Sequence, residues 1–154
     1  MNINDILNRL KIEDQKEADE FEEGFLLDAA QADDIEQLKR TVDEKFGIEI
    51  SPEYLELLRL SNGFSVNGLN LYATQPYDED YFIDGIIDIN EEFHTEASLK
   101  TYFAYGEESS TRLVYNLKTT RYEAVDSVTW EKLQDFDAFS QLLDYVIEES
   151  CIFD

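Results

Sequence analysis

The segment SPEYLELLRLSNG, from Ser51 to Gly63, contains the signals for one complete helix. The Ser51 hydroxyl is suited to capping its start, Pro52 fits the first helical position, and Glu53 favours the positive end of the helix dipole. Gly63 is expected to end the turn, because glycine adopts the left-handed conformation without strain. The predicted buried face consists of Tyr54, Leu55 and Leu58, with Leu57 as a further candidate.

A second amphipathic helix is predicted just upstream, from Asp33 to Phe46. Its apolar residues recur at spacings of three and four, which places them on one helical face. Asp33 or Asp34 is suited to capping its start, and Gly47 is suited to ending it. The residues of the apolar face are Ile35, Leu38, Val42 and Phe46.

The acidic residues 1–32 form either an N-terminal extension or a helix. The stretch Gly-Phe-Leu-Leu at 24–27 interrupts the acids, as a strand or as a loop that inserts Phe25 and Leu26 into the core. The sequence leaves both readings open. A short helix against the body is predicted from the spacing of Ile3, Ile6, Leu7 and Leu10.

Downstream of Gly63 the pattern changes to that of β-strands. Residues Gly68–Tyr72 alternate like a strand, which Pro76 and the acids after it bring to an end. The run IIDI at 86–89 fits either a strand end or the first turn of an irregular helix. Further strands are predicted at Leu99–Gly106, Arg112–Leu117 and Arg121–Val125, the last two as a hairpin across Lys118-Thr119-Thr120.

A C-terminal helix is predicted to begin at Asp135 or Asp137. The order of elements is helices, strands, helix, without a repeat or a flexible linker. This order indicates one α+β domain over residues 1–154, with an antiparallel or mixed sheet and helices packed around it. The apolar stripe of the last helix consists of Phe139, Leu142, Leu143, Val146 and Ile147.

The charge of the chain is strongly unbalanced, since 36 acidic residues face 12 basic ones and the formal net charge is -24. Without a basic patch to track phosphates, direct binding of nucleic acid or of an anionic membrane is not expected. Surplus carboxylates can serve solubility alone, but an excess of this size destabilises the folded state through self-repulsion. The excess therefore favours a use, which is the binding of a basic partner.

The cysteine count and the N-terminus both point to a reducing compartment. Cys151 is the only cysteine, so neither an internal disulfide nor a thiolate metal cluster can form. The first residues contain neither a basic leader nor an apolar run, and no later stretch approaches the ~20 apolar residues of a membrane span. A cytoplasmic location is expected.

Motifs for catalysis or cofactor binding do not stand out in the sequence. His94 is the only histidine, which excludes paired imidazole ligands, and a surface or loop position is expected for it. The run Asp84–Glu92 lacks the spacing of a calcium loop, and the scattered glycines match no phosphate-binding pattern. With so many acids, close carboxylate pairs arise by chance and do not indicate a glycosidase. We therefore expect no enzyme activity, no metal and no cofactor.

Three acidic segments with neighbouring aromatic rings are the candidate partner-binding residues, and each is predicted to lie in a loop. Aromatic rings supply contact area, while carboxylates steer a partner and pair with lysine or arginine. The alternative for each segment is a solvated loop whose rings turn into the core. The candidates are Tyr77, Asp78, Glu79, Asp80, Tyr81, Glu91, Glu92, Glu107 and Glu108, with Phe93 and Tyr105 beside the later pairs.

The longer stretch FGIEISPEYLELLRLSNG, at 46–63, resembles the signature of the SMI1/KNR4 family, also called the SUKH superfamily. In that family an amphipathic helix and a glycine lead into proline, two residues and a leucine or phenylalanine, and the motif ends at Asn-Gly. The following strand, hairpin and C-terminal helix are similar in order, so the likeness spans about residues 33–149. The matching positions are Phe46, Gly47, Pro52, Tyr54, Leu57, Leu58, Asn62 and Gly63.

This resemblance implies an α+β fold and a protein that acts by binding. Many bacterial members of the family are similar to immunity proteins, which bind and inhibit a toxin, often a nuclease. The expected partner is thus a cognate, basic toxin with nuclease activity. Other members look like scaffold or regulatory proteins, so a regulatory adaptor for a cellular protein is the alternative. The family has no universal catalytic residues to carry over.

Overall fold

The computed structural model describes residues 1–154 and contains five α-helices and eight β-strands. The helices are α1 (Ile3–Phe21), α2 (Ala32–Phe46), α3 (Pro52–Leu60), α4 (Ile86–Phe93) and α5 (Phe139–Glu149). The strands are β1 (Phe64–Val66), β2 (Leu69–Leu71), β3 (Tyr77–Asp78), β4 (Phe82–Ile83), β5 (Tyr102–Glu107), β6 (Thr111–Asn116), β7 (Arg121–Asp126) and β8 (Lys132–Phe136).

Six of these strands form one antiparallel sheet in the order β1-β2-β5-β6-β7-β8. The two short strands β3 and β4 pair only with each other and form a separate hairpin. An isolated parallel bridge between Ala73 and Gly85 joins the base of this hairpin to the body. The α+β class with an antiparallel sheet and helices around it is therefore confirmed.

Helix α3 begins where its sequence predicts and ends before the predicted stop at Gly63. The Ser51 hydroxyl accepts a hydrogen bond from the Tyr54 N–H at 3.2 Å, and Pro52 occupies the first turn. The helix stops at Leu60, because Ser61 is extended and its N–H caps the carbonyl of Leu57. The prediction that Gly63 ends the helix is thus wrong by three positions. Its apolar face is buried at Tyr54, Leu55, Leu57 and Leu58.

The two other predicted helix starts also need correction. Helix α2 begins at Ala32, and its N-cap Gln31 makes no side-chain capping bond. Asp33 and Asp34 lie in the first turn, where a negative charge favours the helix dipole without capping it. Gly47 ends α2 in the left-handed conformation, with φ of 68°, as predicted.

The prediction that α5 begins at Asp135 or Asp137 is wrong, because Asp135 belongs to the edge strand β8. The side-chain oxygen of Gln141 accepts hydrogen bonds from the N–H groups of Asp137 and Ala138 at 3.1 and 3.3 Å. Gln141, in the first turn of α5, therefore caps the start of the helix, the role predicted for Asp135 or Asp137. The predicted apolar stripe is buried along its whole length, at Phe139, Leu142, Leu143, Val146 and Ile147.

The structure decides between the alternatives for the elements that follow the β3–β4 hairpin. Residues 86–89 begin helix α4 and are not a strand end. A 3-10 helix (Ala97–Thr101) occupies the start of the strand predicted from Leu99, so that strand begins at Tyr102. The hairpin of β6 and β7 is confirmed, and the Asn116 side chain holds its turn by accepting hydrogen bonds from the N–H groups of Lys118 and Thr119.

The N-terminal region is a helix packed on the body. Asn2 caps α1 by accepting a hydrogen bond from the Asp5 N–H at 2.9 Å. Ile6 and Leu10 of α1 join the hydrophobic core. Phe25 is also buried in the core, while Leu26 is half-buried and pairs with Phe64 of β1 through an isolated bridge.

Helix α4 is fixed to the sheet by one buried side chain, Asn90. Its amide nitrogen donates to the carbonyls of Ile86 and Ala104, at 2.9 and 2.8 Å. Its amide oxygen accepts from the Ala104 N–H at 2.7 Å. Strand β2 pairs with β5 only at Gly106 and Glu107, so Asn90 supplies the hydrogen-bond partners that Ala104 would otherwise lack on that side. None of the helices combines the length and the apolar character needed to cross a membrane.

Candidate functional site

The β3–β4 hairpin carries the most exposed aromatic residues of the predicted clusters. In its first cross-strand pair, Tyr77 lies opposite Ile83, which is fully buried, so this pair faces the body. The next pair, Asp78 and Phe82, faces outward because side chains alternate along a strand. Phe82 keeps 57% of its surface exposed. The outer face of the hairpin therefore presents an apolar ring beside a carboxylate.

The turn of this hairpin adds two carboxylates and a second exposed ring. Glu79 and Asp80 are exposed, and Tyr81 keeps 38% of its surface in solvent. The Tyr81 ring packs on that of Tyr77 with a centroid distance of 5.3 Å. The Tyr77 hydroxyl donates to Glu79 at 3.4 Å. Neither tyrosine enters the core, so the alternative of rings turned inward does not describe this segment.

Two carboxylates from the N-terminal region, Glu17 of α1 and Glu23 just after it, act electrostatically on the hairpin. Burial raises the pKa of the Tyr81 hydroxyl, and the carboxylates of Glu23 and Glu17 raise it further. Both carboxylates are therefore within electrostatic reach of the hairpin. Phe21, which ends α1, is 67% exposed but borders a different pocket, beside Phe25, Val66 and Phe153.

We call this combined region the acidic aromatic surface. None of its carboxylates forms an ion pair. Lys16, the basic residue next to Glu17 in sequence, pairs with Glu13 instead. The surface is thus unneutralised and partly apolar. It consists of Glu17, Glu23, Asp78, Glu79, Asp80, Tyr81 and Phe82, with Tyr77 beneath them.

The second predicted cluster is not a loop. Glu91 and Glu92 both lie on helix α4, so their placement in a loop is wrong. Apolar residues at Ile86, Ile87 and Ile89 turn toward the body and extend the helical pattern through the acids. Glu91 is already paired with Lys45 at 3.3 Å, whereas Glu92 is exposed and has no ion pair.

The third cluster is engaged inside the protein. Glu107 ends β5 and accepts a hydrogen bond from the Tyr72 hydroxyl at 3.0 Å. Glu108 is only 6% exposed, and its carboxylate accepts hydrogen bonds from the hydroxyls of Ser109 and Ser110. Burial alone would raise the pKa of Glu108, but hydrogen bonds, from Ser110 above all, outweigh it and lower the pKa. We therefore leave both residues out of the acidic aromatic surface.

The structure thus brings the candidates at 77–81 together with residues that sequence reasoning missed. Phe82 belongs to the same acidic run and was recognisable as its next aromatic residue. Glu17 and Glu23 join the hairpin only through tertiary packing, because about 60 residues separate α1 from it.

A separate group of acids surrounds Asp84, directly after β4. Burial raises the pKa of Asp84, and the carboxylates of Glu107 and Glu92 raise it further. The guanidinium of Arg112 lowers the pKa but offsets only part of this effect. Ionisation of Asp84 therefore costs more free energy in the folded than in the unfolded protein.

Asp84→Asn is expected to stabilise the protein at neutral pH. Because the folded-state pKa is raised, the parent protein loses stability as pH rises through that pKa, and the amide removes this loss. The gain should stay below about 1 kcal/mol, since the carboxyl is partly solvated. It should vanish below the ordinary aspartate pKa of about 3.9. Urea unfolding at about pH 7 and about pH 3.5 measures both values.

Glu44→Gln is the matched control for this variant, since it removes one negative charge from an exposed position on α2. Its effect at neutral pH should be smaller than that of Asp84→Asn. A parent protein more stable than Asp84→Asn at neutral pH would show that the attraction to Arg112 dominates, contrary to the expectation.

His94 has a structural role. It is half-buried at the end of α4, and its Nε2 atom lies 2.6 Å from the carbonyl oxygen of Tyr102. Its ring also meets Phe46 edge-on at a centroid distance of 5.2 Å. These contacts join α4 and α2 to the start of β5. No group of three or more histidine, cysteine, aspartate or glutamate side chains has the arrangement of a metal site.

The comparisons with known proteins leave the family of the chain open. No protein-family model matches it, and no curated protein matches it. The SMI1/KNR4 resemblance therefore rests on the motif at 46–63 and on the order of the elements that follow.

Proposed function

We propose that this protein binds a basic protein and that the partner is a toxin, which it neutralises as an immunity protein. The observation that carries the binding proposal is the acidic aromatic surface, where carboxylates without ion pairs surround exposed rings. The identity of the partner as a toxin, and its nuclease activity, come from the family resemblance of the sequence.

The composition of this surface suits a partner rich in lysine and arginine. Charged rims speed diffusional encounter, while aromatic rings at the centre of a contact supply most of the binding energy. Lysine and arginine also bind favourably over the faces of tyrosine and phenylalanine. Covering the exposed rings of Phe82 and Tyr81 would favour binding, because their apolar area then leaves water.

A nuclease offers the matching chemistry, because its substrate cleft binds phosphates with basic side chains. The acidic aromatic surface can occupy such a cleft or lie beside it. Either contact would be steered by charge over about one Debye length, roughly 8 Å at physiological ionic strength. Inhibition would then follow from the exclusion of the nucleic acid.

The test is co-expression of this protein with toxin candidates encoded beside it. The proposal expects that growth is rescued and that the toxin co-purifies in a defined ratio. A variant with Asp78, Glu79 and Asp80 replaced by lysine should fold and lose the rescue. The absence of both rescue and co-purification would overturn the proposal, and a stable complex with a partner that is not toxic would favour the regulatory adaptor instead.

A further inference from the structure

A groove of about 520 Å³ lies away from the acidic aromatic surface, between the C-terminal end of α4, the 3-10 helix and the turn that joins β7 to β8. No lysine or arginine lines it. The side chains that decide its chemistry are two rings, Phe93 and Trp130, two acids, Glu92 and Glu96, and the aliphatic residues Leu99 and Val128.

The floor of the groove is aromatic. Phe93 and Trp130 meet edge-on with a centroid distance of 5.1 Å, and Tyr102 packs against Trp130 at 5.4 Å. Phe93 and Trp130 are half-buried, and part of each lines the groove. Val128 stands at the rim with 83% of its surface exposed.

The turn between β7 and β8 holds Trp130 in place. The Asp126 carboxylate accepts hydrogen bonds from the N–H groups of Val128 and Thr129, both at 2.8 Å. The Trp130 N–H then donates to the Asp126 carbonyl at 2.9 Å. Trp130 itself adopts φ of 62°, an unfavourable conformation for a bulky residue, and this network fixes it there.

The same rings already accept a guanidinium from the inside of the protein. The Arg112 guanidinium lies 4.8 Å from the centroids of both Phe93 and Trp130. Its charge is balanced by Glu107 at 3.7 Å. The electrostatic potential of the outer groove is therefore set by Glu92 and Glu96, which are exposed and form no ion pair.

We propose that this groove binds an arginine side chain of a protein partner. A planar guanidinium can pack on the aromatic floor while its N–H groups donate to the carboxylates at the rim. Lysine fits less well, because its ammonium is more strongly hydrated and cannot form the two parallel hydrogen bonds of a guanidinium. Binding of arginine at this groove does not require the partner to be a toxin, so it can be tested separately from the proposed function.

Trp130 is the only tryptophan of the chain, so tryptophan fluorescence, excited selectively over that of the nine tyrosines, reports on this groove. The probes are three blocked tripeptides, acetyl-Gly-X-Gly-amide, in which X is arginine, lysine or citrulline. Citrulline has nearly the shape of arginine and no charge. The arginine peptide should change the fluorescence saturably with a dissociation constant on the order of 1 mM, as expected for one side chain. The lysine peptide should bind several-fold more weakly, and the citrulline peptide should show no saturable change.

The variant Glu92→Gln/Glu96→Gln should weaken binding of the arginine peptide by about tenfold, because two charge-assisted hydrogen bonds become neutral ones. The control Asp78→Asn/Glu79→Gln removes the same charge from the acidic aromatic surface and should leave the binding unchanged. All four substitutions are at exposed positions and should leave the fold intact. The proposal is overturned by a lack of saturable response, by equal binding of the lysine or citrulline peptide, or by an equal loss in the control.

Discussion

Asn90→Ala is expected to lower the free energy of unfolding by about 2 to 6 kcal/mol, because two buried backbone groups lose their partners at roughly 1 to 3 kcal/mol each. Those groups are the N–H and the carbonyl of Ala104, which Asn90 satisfies at 2.7 and 2.8 Å. Asn90 and Ala104 are both fully buried, so water cannot replace the amide without opening the structure. Helix α4 would then lose its polar attachment to β5.

Urea unfolding followed by circular dichroism measures this loss, with two companion variants. Asn90→Asp keeps an oxygen acceptor, loses the donor and buries a charge, so it should also be strongly destabilising. Glu91→Ala, one residue further along α4, removes only an exposed ion pair and should change stability by less than about 1 kcal/mol. A loss for Asn90→Ala as small as that of Glu91→Ala would contradict the role given to this side chain.

Replacing Asp78, Glu79 and Asp80 by lysine is expected to slow association with a basic partner by about 10- to 100-fold at low salt. The salt dependence of the rate should become flatter, because fewer complementary charges remain to be screened. Stability should change little, since all three side chains are exposed. Stopped-flow association rates over a series of salt concentrations, with the partner found by co-expression, provide the measurement.

The matched control reverses three exposed acids of α2, which are Glu36, Asp43 and Glu44. Each reversal adds two charges, so either triple variant has a net charge of -24 + 6, or -18. Equal slowing in both variants would mean that the overall field steers the partner and that the hairpin is not the contact. A selective effect of the hairpin variant locates the contact on the acidic aromatic surface.

Local sequence signals predicted the helices well where one face was apolar and a cap was present. Helix α3 follows from Ser51 and Pro52 together with the burial of its leucines. Strand β8 was missed because its first residues lie exposed at the edge of the sheet and show no apolar alternation. Asp135 then looked like a helix cap, although its carboxylate pairs with Lys132 on the same strand and with Arg121 on β7.

The candidate site was predictable only in part, because its pieces are distant in sequence. The run at 77–82 shows both its acids and its rings, and the structure keeps them on one exposed hairpin. The contribution of Glu17 and Glu23 depends on how α1 docks, which no local pattern contains. Glu108 shows the converse, since its hydrogen bonds to Ser109 and Ser110 turn an apparent surface acid into a buried turn residue.

Strand β8 leaves one border of the six-stranded sheet without a covering strand. Such a border is a template for other chains, and unlimited growth of a sheet by addition of identical copies is the route to aggregation. Here Lys132 and Asp135 place charges along that border, and each approaching copy also has a net charge of -24. Copies of the protein therefore repel one another where their backbones could pair. Acidification to the isoelectric point near pH 4.1 removes the net charge, and with it this repulsion between copies.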